Sequence, residues 1–149
     1  MPDQKTLKRA AEDKREGKSP STQAGEFVRE EMDHIREGKH GARSTKQAIA
    51  IGLSKARRAG VALKSPAEGK ASAKTRRSAK RDGAAGARKT ASPSPRRSRA
   101  TTNALKREGR SAASPAALSR QAKAVAKKRG PAARSASARK AARTRSRKV

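Results

Sequence analysis

The side chains best suited to chemistry are cations, and they recur in clusters: Lys55/Arg57/Arg58, Lys74/Arg76/Arg77, Lys80/Arg81, Arg88/Lys89, Arg96/Arg97/Arg99, Lys127/Lys128/Arg129, Arg139/Lys140 and Arg143/Arg145/Arg147/Lys148. Clusters of this kind bind phosphate by charge, releasing a condensed counterion for each phosphate they neutralise on a nucleic acid. Reading bases instead requires a rigid element that holds a few side chains at base edges. Cations strewn along a low-complexity chain therefore predict binding with poor sequence specificity. Binders of single strands interleave cations with aromatic side chains on which bases stack. This chain has one Phe, no Trp and no Tyr, which favours duplex DNA, with structured RNA as the competing polymer.

A second constellation is Glu30, His34 and Glu37, spaced i, i+4, i+7 on one helical face, with Glu31 and Asp33 beside them. Carboxylates flanking an imidazole can hold a metal or exchange protons. The same spacing describes an exposed face paired with Arg29 and Arg36, and that is the reading adopted from the sequence. With no cysteine, no Gly-rich phosphate loop and no nucleophile elbow,, the expectation is a non-enzymatic protein with no catalytic residue, metal, cofactor or small-molecule substrate.

The elements that must position these residues divide the chain in two. The whole carries 41 Lys and Arg against 12 Asp and Glu, a net charge of +29. Residues 1–63 hold 14 cations and 9 acids, and residues 64–149 hold 27 and 3. The first part also holds nearly all the large apolar residues, among them Leu7, Phe27, Val28, Met32, Ile35, Ile49, Ile51, Leu53, Val61 and Leu63. Three helices are predicted there: Asp3 to Glu16, stopped by Gly17; a second capped by Ser19 with Pro20 in its first turn, running to Glu37 before Gly38; and a third opening with the capping-box pattern Ser44-Thr45-Lys46-Gln47 and ending at Gly60,. The second and third make an antiparallel hairpin. Alternatively, Ser44–Gly60 is the second helix of a helix-turn-helix, with Lys46, Gln47, Lys55, Arg57 and Arg58 toward a groove.

Residues 64–149 are Ala, Lys, Arg, Ser and Pro in low-complexity order, cut by Ser65-Pro66, Ser92-Pro93-Ser94-Pro95 and Ser114-Pro115. Ordering a backbone costs roughly 1–2 kcal/mol per residue, and buried alanine returns little of it. The expected state is therefore a largely disordered tail, whose helix-forming stretches Ala71–Asp82, Arg99–Glu108, Pro115–Arg129 and Ala132–Thr144 become helical only when phosphates neutralise them. A net +24 would neutralise on the order of a dozen base pairs of duplex. The run Lys14-Arg15-Glu16-Gly17-Lys18-Ser19 recurs as Lys106-Arg107-Glu108-Gly109-Arg110-Ser111, and Ile35-Arg36-Glu37-Gly38-Lys39 echoes it; each copy marks a helix end.

The segment Ser19–Gly60, and above all His40-Gly41-Ala42-Arg43-Ser44-Thr45-Lys46-Gln47-Ala48-Ile49-Ala50-Ile51-Gly52-Leu53-Ser54-Lys55-Ala56-Arg57-Arg58-Ala59-Gly60, resembles an uncharacterised bacterial domain family of unknown function. That resemblance implies a bacterial source and a short helical module, and it transfers no functional residue. The tail resembles those of linker histones and histone-like nucleoid proteins, and Ser94-Pro95-Arg96-Arg97 is similar to the SPKK-type repeats of histone tails. This implies a Ser-Pro turn that lays Arg96 and Arg97 along a minor groove. The chain is thus expected to be mostly α-helical, with a small two- or three-helix module at 1–63, open to a protein partner or to self-association, and a disordered nucleic-acid-binding tail at 64–149. With no apolar stretch long enough for a bilayer and no signal peptide, its expected place is the cytoplasm, on the nucleoid.

Overall fold

A computed structural model describes residues 1–88 and 94–146. Residues Gln4–Arg15 form α1, Pro20–Arg36 α2, Thr45–Arg58 α3, Ala73–Ala87 α4, Pro95–Lys106 α5 and Pro115–Ser146 α6, with a 3-10 turn at Ser111–Ala113. No strand occurs among the described residues.

The first three helices begin and end where local chemistry predicts. Ser19 Oγ accepts the Thr22 amide and Pro20 occupies the first turn of α2. Ser44 Oγ accepts the Gln47 amide at 3.2 Å. The Gln47 side chain completes a variant capping box by accepting the amide of Arg43, at 2.7 Å, rather than that of Ser44 itself,. Gly17 and Gly38 close α1 and α2 with φ of 70° and 77°, the left-handed geometry that glycine adopts without a Cβ penalty. Gly109, in the third copy of the repeat, is not among the positive-φ glycines, so that copy shares the sequence without the cap.

A small core gathers Ala10, Ala24, Phe27 and Ala56, flanked by Leu7, Leu53, Val61 and Leu63. Among the described residues, Phe27 of this core and Ile35, farther along α2, are the largest fully buried apolar side chains. Most of the core's volume is alanine, so the helices gain their contact by close approach. A Cβ on Gly52 of α3 would lie 2.7 Å from the Val28 Cα of α2. One on Gly86 of α4 would lie 1.9 Å from the carbonyl oxygen of Arg57. Both glycines let backbones meet where any side chain would hold them apart.

This packing corrects the expectation of a disordered tail. Beyond residue 64 the described chain is helical in α4, α5 and α6, and Met1–Ala113 is one compact unit, with Ser114–Val149 a second. The charge boundary at 63/64 is not the packing boundary. Close backbone contact and ion pairs made by the three acids of the basic region supply the order that buried alanine alone does not. Asp82 is buried and accepts Ser54 Oγ at 2.7 Å and Arg58 Nε at 3.0 Å, pinning α4 to α3. Glu68 meets Arg76, and Glu108 lies 3.8 Å from Arg43. The last turn of α5 and the segment after it are sewn to the α2–α3 connection by Gly41 N–H to Leu105 O (2.9 Å) and Ala42 N–H to Gly109 O (3.1 Å). The 3-10 turn is held by Thr45 Oγ1 to Ala112 O and Arg36 Nε to Ala113 O.

The second unit is α6 alone. Ser114 Oγ accepts the Ala117 amide at 3.2 Å and Pro115 opens the helix. Gly130 leaves helical geometry, with φ 73° and ψ 168°, immediately before Pro131. The element is therefore two alanine-rich helices in series, each started by a proline, which is tolerated in a first turn because its missing N–H has no partner there. Good intrinsic propensity supports both segments. Among the described residues no helix is long and apolar enough to cross a membrane.

Candidate nucleic-acid interface

The fold sorts the cations into two classes that are indistinguishable by residue type. Three of the four on α3, Lys55, Arg57 and Arg58, are spent internally. Lys55 pairs with Glu31, and with Glu30 at 3.1 Å. Burial opposes its charge, but hydrogen bonds and attraction from Glu31 and then Glu30 outweigh that and hold its pKa above the ordinary lysine range,. Arg57 is buried and donates to the carbonyls of Leu63 and Lys64. Arg58 is held by Asp82. The helix-turn-helix reading therefore loses Lys55, Arg57 and Arg58 from its groove face, whereas Lys46 stays exposed and Gln47 is spent on the cap of α3.

On α4 the arrangement is the reverse. Ala79, Asp82 and Gly86 are its buried residues. At about 100° per residue, Lys74, Arg77, Lys80, Arg81 and Arg88 fall within an arc of about 120° on the opposite side. All five are exposed. Arg76 lies outside the arc and is neutralised by Glu68 at 3.1 Å. The stripe from Lys74 to Arg88 spans about 21 Å, roughly one cation per 5 Å, against one phosphate per about 3.4 Å along each DNA strand. The only acid of α4 is Asp82, on the buried side. The helix is thus amphipathic in charge: small residues and a buried acid inward, cations outward.

Arg96, Arg97 and Arg99 are exposed on α5, which has no buried residue. Pro95 is the first residue of that helix, so Arg96 and Arg97 stand in a helical first turn instead of the Ser-Pro turn implied by the SPKK resemblance. On α6, Lys127, Lys128, Arg129, Arg139, Lys140, Arg143 and Arg145 are exposed, and the sequence from Gly109 to the end contains no acid. No carboxylate within α6 itself competes for these charges. Lys89, Arg147 and Lys148 lie outside the described residues.

The carboxylate and imidazole constellation of α2 is also rearranged. Glu30 and Glu31 are buried, which overturns the exposed-face reading. The arginines expected to pair with them go elsewhere: Arg29 and Arg36 both approach Asp33, at 4.0 and 3.4 Å. Only Glu37 is on the surface as expected, meeting Lys39 at 2.9 Å. His34 Nε2 lies 3.2 Å from Asp3 Oδ2, and this hydrogen bond keeps the Asp3 carboxyl below its usual pKa. His40 joins the group from the α2–α3 connection, 3.5 Å from Glu31 Oε2. Periodicity on α2 alone missed the group because two of its members, Asp3 and His40, come from other segments. Comparison with protein-family models, curated proteins and solved structures finds no match to this chain.

Proposed function

We propose that this protein binds duplex DNA without sequence specificity, as a histone-like, non-enzymatic coating protein that acts by neutralising phosphates. The observation that carries this reading is the outward stripe of α4, Lys74, Arg77, Lys80, Arg81 and Arg88, set opposite the face that docks on α3. Folding has used the basic region's acids to build the unit and left these cations exposed, with no carboxylate paired to them among the described residues, a surface that repels itself and attracts a polyanion,. The acid-free α6 adds exposed cations on a second element, so the charge available to phosphate is carried by helices and not by a random coil. A rigid stripe fixes the spacing of its charges before binding, which lowers the entropy lost on association relative to a disordered tail. The absence of aromatics from residue 28 onward supports duplex over single strands.

The test is a salt titration of the full chain on random-sequence duplex DNA. The expected result is a steep linear fall of log affinity with log salt, corresponding to roughly six or more phosphates, equal for unrelated sequences. A shallow slope, or a strong preference for one sequence, overturns the proposal. Competition by structured RNA at equal phosphate concentration decides between the two duplex polymers, and a clear win for RNA replaces DNA as the partner.

A further inference from the structure

The chain contains two histidines and no cysteine, and the fold brings both histidines to one place at the end of α2. Their rings meet edge to face, 5.9 Å between centroids and 86° between planes. Beside them lies the Glu31 carboxylate, fully buried at 0% exposure, with one oxygen within 4.8 Å of a nitrogen of each ring. Its Oε1 is paired with Lys55, while its Oε2 receives no hydrogen bond among the described residues and has His40 Nε2 at 3.5 Å.

The tautomer of His40 sharpens this contact. His40 Nδ1 lies 3.0 Å from the carbonyl oxygen of Gly41, an acceptor only, so Nδ1 carries the hydrogen. In the neutral ring Nε2 then presents a lone pair to a carboxylate oxygen. Two acceptors facing each other in a buried space call for a positive centre between them. The charge balance agrees: Asp3, Glu30, Glu31 and Glu37 bring four carboxylates, against two ammoniums, Lys55 on the buried pair and Lys39, which is bonded to Glu37 and acts on Asp3 and Glu30 from farther off.

We propose that Glu31, His34 and His40 bind one divalent transition ion of the zinc class. One nitrogen from each ring and a Glu31 oxygen all lie within 4.8 Å of one another. Zinc bonds of about 2.0–2.2 Å to nitrogen and oxygen, set tetrahedrally, need ligand separations of roughly 3.4 Å, which the His40–Glu31 pair already has and the others reach by small side-chain movement. Two imidazoles and a carboxylate leave a fourth position open, a donor set that favours zinc over magnesium or calcium. The supporting contacts are in place: the Gly41 carbonyl orients His40, Asp3 bonds His34, and Lys55 fixes Glu31, as outer partners do at metal sites. The ion would tie α2 to the connection whose Gly41 and Ala42 hold the last turn of α5 and the segment after it, a structural clamp independent of the nucleic-acid reading.

The experiment is calorimetric titration of the full chain with Zn(II), with Mg(II) as the control, followed by thermal melting with and without Zn(II). Expected are one Zn(II) per chain, a higher melting temperature, no Mg(II) uptake, and, for His40→Gln and for His34→Gln, a loss in affinity at least as large as the about 10–100-fold that removal of an outer partner costs. Circular dichroism checks that the variants are folded. Should either fail to fold, Co(II) bound to the unaltered chain decides: ligand-field bands of a low-coordinate nitrogen and oxygen site support the proposal, and the spectrum of hydrated Co(II) overturns it. It is also overturned if the full chain takes up no Zn(II), if folded His40→Gln or folded His34→Gln binds Zn(II) as well as the parent, or if nuclear magnetic resonance finds the His40 ring doubly protonated and unmoved by Zn(II).

Discussion

Two glycines on one helix offer a test of sign. Gly83 and Gly86 both lie within α4, where replacing an exposed glycine by alanine stabilises by about 0.5–1 kcal/mol through backbone entropy,. A Cβ on Gly83 meets nothing within 4 Å, so Gly83→Ala should stabilise by about that amount,. A Cβ on Gly86 would sit 1.9 Å from the Arg57 carbonyl oxygen, against backbone, which cannot swing aside as a flexible side chain can. Ordinary contact needs about 3.2 Å or more, so α4 must withdraw from α3 by more than 1 Å. That withdrawal lengthens the bonds Asp82 accepts from Ser54 and Arg58. Overpacking of this kind costs about 1–3 kcal/mol, which exceeds the propensity gain, so Gly86→Ala should destabilise by roughly 1–2 kcal/mol. Over a unit of this size that difference moves Tm by several degrees, down for Gly86→Ala and up for Gly83→Ala. The assay is thermal unfolding followed by circular dichroism, with amide hydrogen exchange reporting on α4. If both variants raised Tm alike, α4 would be a free helix and the compact unit Met1–Ala113 would be refuted.

Replacing Lys74, Arg77, Lys80 and Arg81 together by Gln should leave Tm nearly unchanged and lower the salt slope of duplex binding by about 3–4, measured by fluorescence anisotropy; an unaltered slope removes α4 from the interface. Lys55→Met strips the buried Glu31 of its ammonium partner and should cost about 3 kcal/mol or more in urea unfolding at pH 7,. Because the folded pKa of Lys55 is raised, its contribution is complete below the ordinary lysine value of 10.5 and is lost as pH climbs through the folded value,. The gap between Lys55→Met and the parent should therefore hold from neutral pH to about 10 and narrow only in stronger alkali. Asp82→Ala should cost about 1–2 kcal/mol, and Arg58→Gln less than 1, since the arginine is half exposed and screened by water,; denaturant midpoints would show the order reversed if Asp82 did not join the helices.

What the sequence determined by itself is whatever depends on neighbours along the chain. Ser19-Pro20, Ser44 with Gln47, and Gly17 and Gly38 mark helix ends through hydrogen bonds and backbone geometry that span four or five residues, and α1, α2 and α3 follow within a residue or two. The helix-forming stretches of the basic region were legible in the same way, as was the excess of positive charge. Their order was not, because it depends on Gly52 and Gly86 facing a backbone and on Asp82 facing Arg58, relations between residues distant in sequence. The same limit governed the candidate sites. Lys55 and Lys74 look alike in a composition, yet one is enclosed by Glu30 and Glu31 and the other faces solvent. Periodicity places Glu30, His34 and Glu37 on one face of α2, but it cannot tell which edge of that face turns inward or that His40 will close upon it. Only tertiary packing decided those points, since burial sets which charges must find partners inside and which remain for a ligand.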